Sequence, residues 1–237
     1  MFLTLGNFTS ITPMVLLLTL FSAFKNGKPT CDRYLGNSFL YVLSSLCIFI
    51  TTIYIQREKK IISEVQFNIF LVIGLLVIIF GCIPLMVKTN NVVLKHLLYL
   101  LIILYLGIIL ESFYKDFNQE LIDETLVRVA VLCGVAIVLI LLFPNSFKMS
   151  FYKMVGVIFS FLVVAHILDT LFLKSEHQII FSYLFIFIFF VFLSYDSKFI
   201  LERSKSCNGN ADYIMGSFNI FLDLIGLFDN LMIVGND

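Results

Sequence analysis

Asp223 lies in the run Phe218-Asn219-Ile220-Phe221-Leu222-Asp223-Leu224-Ile225-Gly226-Leu227-Phe228, deep inside the last apolar stretch of the chain. A carboxylate near the middle of a lipid-embedded helix costs at least about 2.5–3.5 kcal/mol on insertion scales, so it demands a partner or a task. At helical spacing Gly216, Asn219, Asp223, Gly226 and Asn230 share one face, while Ile220, Phe221, Leu224, Leu227 and Phe228 occupy the rest. The small and polar face is expected to point inward, where helices approach closely and polar groups find partners. Asn219, one turn before Asp223, is expected to bond to the same site. The alternative is a packing role, with Asp223 bonded to a neighbouring hydroxyl.

Asp196 is the second carboxylate. It ends a Phe-rich apolar run from Ile179 to Tyr195, and a short polar loop separates its helix from the one bearing Asp223, so the two helices are antiparallel neighbours. Asp223 comes 11 residues after Asp212, a rise of roughly 16 Å at about 1.5 Å per residue. The carboxylates therefore meet only if the helix of Asp196 continues toward Glu202, which Phe199, Ile200 and Leu201 permit; otherwise Asp196 marks a water boundary. Two carboxylates within hydrogen-bonding range in a poorly solvated site cannot both ionise cheaply, and the pair keeps a proton. Once deprotonated, the same oxygens repel each other and can coordinate a hard cation such as calcium.

The chain that must position this pair has 237 residues, 60% of them hydrophobic and 14% charged, with a mean hydropathy of +1.01 and sixteen basic residues balanced by sixteen acidic ones. Soluble domains run at about 45–50% apolar and about 25% charged, so the composition points to an integral membrane protein. Zero net charge also gives no basic surface for nucleic acid. Seven apolar runs bounded by polar residues are long enough to span: Tyr34 to Gln56, Gln66 to Val87, Val92 to Phe113, Thr125 to Phe143, Phe151 to Leu173, Gln178 to Asp196 and Asp212 to Val234. A weaker stretch from Phe8 to Phe24 reads either as an extra N-terminal anchor or as an interfacial helix. The expected fold is all-α, a seven-transmembrane-helix bundle over residues 34–237, preceded by a hydrophobic segment and basic loop over residues 1–33.

Charges outside the spans orient it. Lys25, Lys28, Arg33, Lys88, Lys95, Lys148, Lys153, Lys198, Arg203 and Lys205 fall in loops on one side, ten of the sixteen basic residues, which places that side in the cytosol. The longest acidic loop, with Asp116, Glu120, Asp123 and Glu124, falls opposite. Cys31, Cys47, Cys82, Cys133 and Cys207 have no CxxC spacing and read as small buried residues rather than metal ligands or a disulfide framework. His166 and Asp169, spaced i, i+3, read as a solvated pair; His96 and His177 flank spans and read as solvated. Glu111 either lines a vestibule or faces its loop. With no HExxH and no serine-nucleophile elbow, no enzymatic activity and no bound cofactor are expected.

The block Tyr195-Asp196-Ser197, then Asp212-Tyr213-Ile214, then Asn219 to Phe228 resembles the C-terminal signature of the transmembrane Bax inhibitor motif family, across about 35 residues. Phe39-Leu40-Tyr41-Val42-Leu43-Ser44-Ser45-Leu46 and Leu106 to Glu111 resemble the family's first and third spans. The resemblance implies a seven-helix, pH-sensitive calcium leak in an intracellular membrane, the endoplasmic reticulum or Golgi in a eukaryotic or viral setting and the inner membrane in bacteria. It also implies an inhibitory role in apoptosis, with apoptosis-regulating membrane proteins as partners beside the lipid bilayer, calcium and protons. Asp196 and Asp223 match the family's proton-sensing dyad on the calcium path, with Asn219 in support. The Arg that family members supply near the end of the second span has Lys88 as its nearest counterpart, a point charge without a bidentate fork. The basic C-terminal tail of some members is missing, and the stretch to Phe24 has no counterpart. A non-conducting adaptor that modulates cell-death or stress signalling through partner helices is the competing reading. A seven-helix receptor lacks support, because neither Asp-Arg-Tyr after the third span nor Asn-Pro-x-x-Tyr in the last is present.

Overall fold

The structure is a computed structural model that describes residues 5–25, 27, 29–59, 73–114, 117–143, 149–172, 177–207 and 211–236. Within lipid every backbone N–H and C=O must be bonded inside the protein, and the described residues meet that demand with helices and no sheet. They form α1 (Leu5–Ala23), α2 (Tyr34–Lys59), α3 (Ile73–Lys88), α4 (Val92–Tyr114), α5 (Gln119–Leu142), α6 (Met149–Phe172), α7 (Gln178–Ser206) and α8 (Tyr213–Gly235). Six of these, α2 and α4 to α8, are long and apolar enough to cross a membrane. The chain is therefore a multi-pass integral membrane protein. Residues 66–72 of the second expected span lie outside the described residues, as do Lys28, Asp116 and Lys148; the described part, α3, is shorter than the other spans.

The helices group into two compact units, residues 1–117 with 207–218, and residues 118–206 with 219–237. In the first, α1 packs on α2, α2 on α4, and α3 on α4. Thr12 of α1 donates to the Cys47 carbonyl at 3.2 Å and bonds the Thr51 hydroxyl at 2.8 Å, so the stretch read as an anchor or interfacial helix is a partner of α2. Gly107 brings α4 close to α2: a Cβ there would stand 2.8 Å from Thr52 Cβ and 3.1 Å from the Phe49 carbonyl oxygen. In α3, Pro84 has no N–H to give the turn before it. The ladder widens there into a π segment over Ile78–Cys82, with Ile83 N–H reaching the Ile78 carbonyl.

One end of this unit carries polar and covalent ties. Cys31 and Cys207 form a disulfide, with Cα atoms 5.6 Å apart across 176 residues of sequence. This corrects the reading of all five cysteines as unpaired thiols. Their spacing held no sign of it, because the fold and not the local sequence brings the two loops together. Cys47, Cys82 and Cys133 are free, the first two buried. Beside the bond, Lys95 pairs with Asp212 at 2.8 Å, the Tyr34 hydroxyl donates to the Asp212 carbonyl at 3.0 Å, and the Tyr213 hydroxyl bonds the Thr30 backbone. His96 is not solvated: its Nε2 meets the Tyr41 hydroxyl at 2.5 Å and its Nδ1 the Val92 carbonyl at 2.7 Å.

In the second unit α7 packs against both α5 and α6. Phe159 of α6 meets Phe185, Phe189 and Phe192 of α7 edge to face, with centroids 5.6 to 5.9 Å apart, over a core of Val155, Ile188 and Val191. The expected acidic loop is largely helix. Asn118 caps α5 by accepting the Leu121 N–H at 2.7 Å, so Glu120, Asp123 and Glu124 sit in its first turns, where the helix dipole favours acids. Asp169 does not pair with His166. It is buried and accepts from the His177 ring at 2.8 Å, tying the end of α6 to the start of α7, while the Nδ1 of His166 is buried without a partner.

Candidate functional site

The last helix pair positions the two carboxylates. α7 runs without interruption through Asp196 to Ser206, so Asp196 lies within the helix rather than at its end. The Asp196 and Asp223 carboxyls lie within interacting range of each other, and each residue is 6% exposed. A hydrogen bond between two carboxyls needs an O–H on one of them, so the pair can bond directly only while one carboxyl is protonated. Oδ2 of Asp223 is buried with no protein partner, and so is the Ser197 hydroxyl, next in sequence to Asp196. An ionised oxygen in that state loses its hydration with nothing in return, so the site favours the protonated form of the carboxyl.

Aromatic rings and a glycine set the approach of the helices. Gly226 follows Asp223 on α8, and a Cβ there would come within 2.5 Å of the Phe189 ring of α7. The missing side chain lets α8 lie against the Phe-rich face of α7. Asn230 closes the next turn by donating to the Gly226 carbonyl at 2.8 Å. Tyr152 of α6 stacks on Tyr195, the residue before Asp196, with centroids 3.9 Å apart, and lies within electrostatic reach of both carboxylates. The Tyr195 hydroxyl donates to Met149 Sδ at 3.1 Å.

The remaining sequence candidates are placed elsewhere. Asn219 is exposed, so it does not share the buried face expected for it. The reason lies in the environment of α8. Ile220, Phe221, Leu224, Leu227 and Phe228, expected to face outward, are all buried, and a helix enclosed on nearly every side has no polarity gradient to read. Lys88 is exposed at the end of α3, in the first unit. Glu111 is half-buried on α4. Among the described residues no group of three or more His, Cys, Asp or Glu is placed to hold a metal ion. Sequence reasoning passed over Tyr152 and Phe189, since a tyrosine and a phenylalanine among so many aromatic residues carry no local signal.

A family model described as "Inhibitor of apoptosis-promoting Bax1" matches residues 31–235, which takes in α2 to α8. No curated protein and no solved structure matches the chain significantly.

Proposed function

This chain belongs to the Bax inhibitor family, and on that premise we propose that it is a pH-sensitive calcium leak of an intracellular membrane that restrains apoptosis. The observation that carries the reading is the buried Asp196–Asp223 contact on two membrane-length helices. With one proton between them the carboxyls hold α7 to α8. When that proton leaves, two like charges about 4 Å apart repel by about 4 kcal/mol at an effective dielectric of about 20. That exceeds the roughly 0.5–1.5 kcal/mol a typical hydrogen bond contributes, so the contact opens.

Calcium takes about 6–8 oxygen ligands, and two carboxylates supply at most about four. The pair thus suits an ion in passage, its shell completed by water, better than an ion held for storage. Asp196 and Asp223 are the carboxylates on the path. Apoptosis-regulating membrane proteins are the proposed partners in the cell-death role.

Calcium efflux from loaded proteoliposomes, followed across pH for the protein and for Asp223→Asn, tests the reading. The expected result is efflux that rises with pH in the native protein and a flat profile in the variant. Efflux no greater than from empty vesicles, or equal pH-independent efflux in both proteins, overturns it.

A further inference from the structure

We infer that the Cys31–Cys207 bond is a reversible thiol–disulfide clasp on the start of α8, opened by small thiols and closed by small disulfides. The bond joins the loop before α2 to the loop before α8, and both cysteines are half-buried rather than sealed in a core. The three free cysteines lie inside helices. Cys47 and Cys82 are buried and Cys133 is half-buried within α5, so among the described cysteines the pair is the one whose bonding state changes how a helix is anchored.

The clasp is brought together by contacts that do not involve sulfur. Lys95 at the start of α4 holds Asp212 at 2.8 Å, and Asp212 Oδ1 accepts from the Met215 N–H at 3.4 Å, capping α8. Tyr34 donates to the Asp212 carbonyl, and the Thr30 N–H donates to the Tyr213 hydroxyl at 3.1 Å. These polar contacts keep the two thiols near each other when the bond is open, so it can re-form. They are also individually weak, so the covalent link decides how firmly the first turn of α8 is held.

The placement of charge argues for a switch rather than a permanent staple. By sequence, the loops before α2 and before α8 belong to the more basic set of connections, the cytosolic signature. Cytosolic thiols keep exposed pairs reduced, and a disulfide on that side forms on oxidation. In closing, one protein thiolate attacks a small disulfide and displaces one small thiol. The second protein thiolate then attacks the mixed disulfide and displaces the other. Two electrons and two protons pass from the protein dithiol to the small disulfide, giving one protein S–S bond and two small thiols; opening is the reverse. The inference does not depend on ion conduction.

The full-length protein in proteoliposomes, equilibrated in glutathione buffers of varied thiol-to-disulfide ratio and then alkylated after denaturation, tests it by intact mass. The expected result is a reversible transition from three alkylated cysteines (Cys47, Cys82 and Cys133) to five. In the same samples, amide exchange over residues 211–217 is expected to rise about tenfold on opening, with α5 unchanged as internal reference. Cys207→Ser is expected to show the open-state exchange at every ratio. Five alkylated cysteines at all ratios, three at all ratios, or unaltered exchange over 211–217 between the two native forms each overturn the clasp; none of these three readings needs a variant to fold.

Discussion

Asp196 of α7 and Asp223 of α8 set two neighbouring carboxyls in one enclosed site, each residue only 6% exposed. On the proposed reading the contact stabilises while it holds a proton and is lost as pH rises through the range in which the proton leaves. Asp223→Asn keeps the shape and supplies an amide donor to Asp196, so its stability should stay within about 1 kcal/mol of the native protein. Asp223→Ala strands the Asp196 carboxyl in a dry site and should cost about 2–3 kcal/mol. Thermal unfolding in detergent across pH checks both: the native melting temperature should fall as pH rises, and that of the Asn variant should not.

Gly226 and Phe189 make the second prediction. A methyl at Gly226 would meet the Phe189 ring, which is wedged between Phe159 and Phe192, so the ring cannot swing aside without disturbing two neighbours. Gly226→Ala should destabilise by about 1–3 kcal/mol, as overpacking does. Adding Phe189→Leu to make room should recover at least half of the loss. A double variant no better than the simple sum of both single losses would show that the two residues are not coupled.

How much of this was legible from residues alone follows from how each signal arises. Apolar run length is a property of the local chain, and it located α2, α4, α6 and α8 to within a few residues of their ends, while α5 starts at Gln119 rather than Thr125 and α7 runs on from Asp196 to Ser206. The continuation of α7 beyond Asp196 was also readable, because bringing two carboxylates together across a short loop requires it geometrically. Facing was not. Hydrophobic periodicity separates core from water, but inside a membrane protein both core and lipid are apolar, so Asn219 was assigned to the wrong side of α8. Long-range pairings such as Cys31 with Cys207, or Asp169 with His177 in preference to His166, depend on tertiary proximity that no spacing rule encodes.

Asn219 provides a contrast to its neighbour. It is exposed one turn before Asp223, so replacing it should leave the packing of α8 intact. Asn219→Ala is expected to change unfolding stability by less than about 0.5 kcal/mol, the range of substitutions away from packed or bonded groups. It should also leave the pH dependence of melting unchanged. A loss comparable to that of Asp223→Ala would place Asn219 within the carboxyl site after all.

Lys95 and Asp212 are 14% and 29% exposed in their side chains, between the solvent-screened pairs that contribute about 0–1 kcal/mol and the fully buried ones whose disruption costs about 3–5 kcal/mol. Lys95→Met should accordingly cost about 1–2 kcal/mol. Asp212→Ala should cost more, because Asp212 also caps α8 through Met215, and a lost cap adds about 1 kcal/mol. The double variant should cost less than the two single losses combined, by about 1 kcal/mol, since the ion pair is counted in both. Equal losses for the two single variants would mean that the cap contributes nothing. Strict additivity in the double variant would mean that the pair, although 2.8 Å apart, does not bear on how the start of α8 is held.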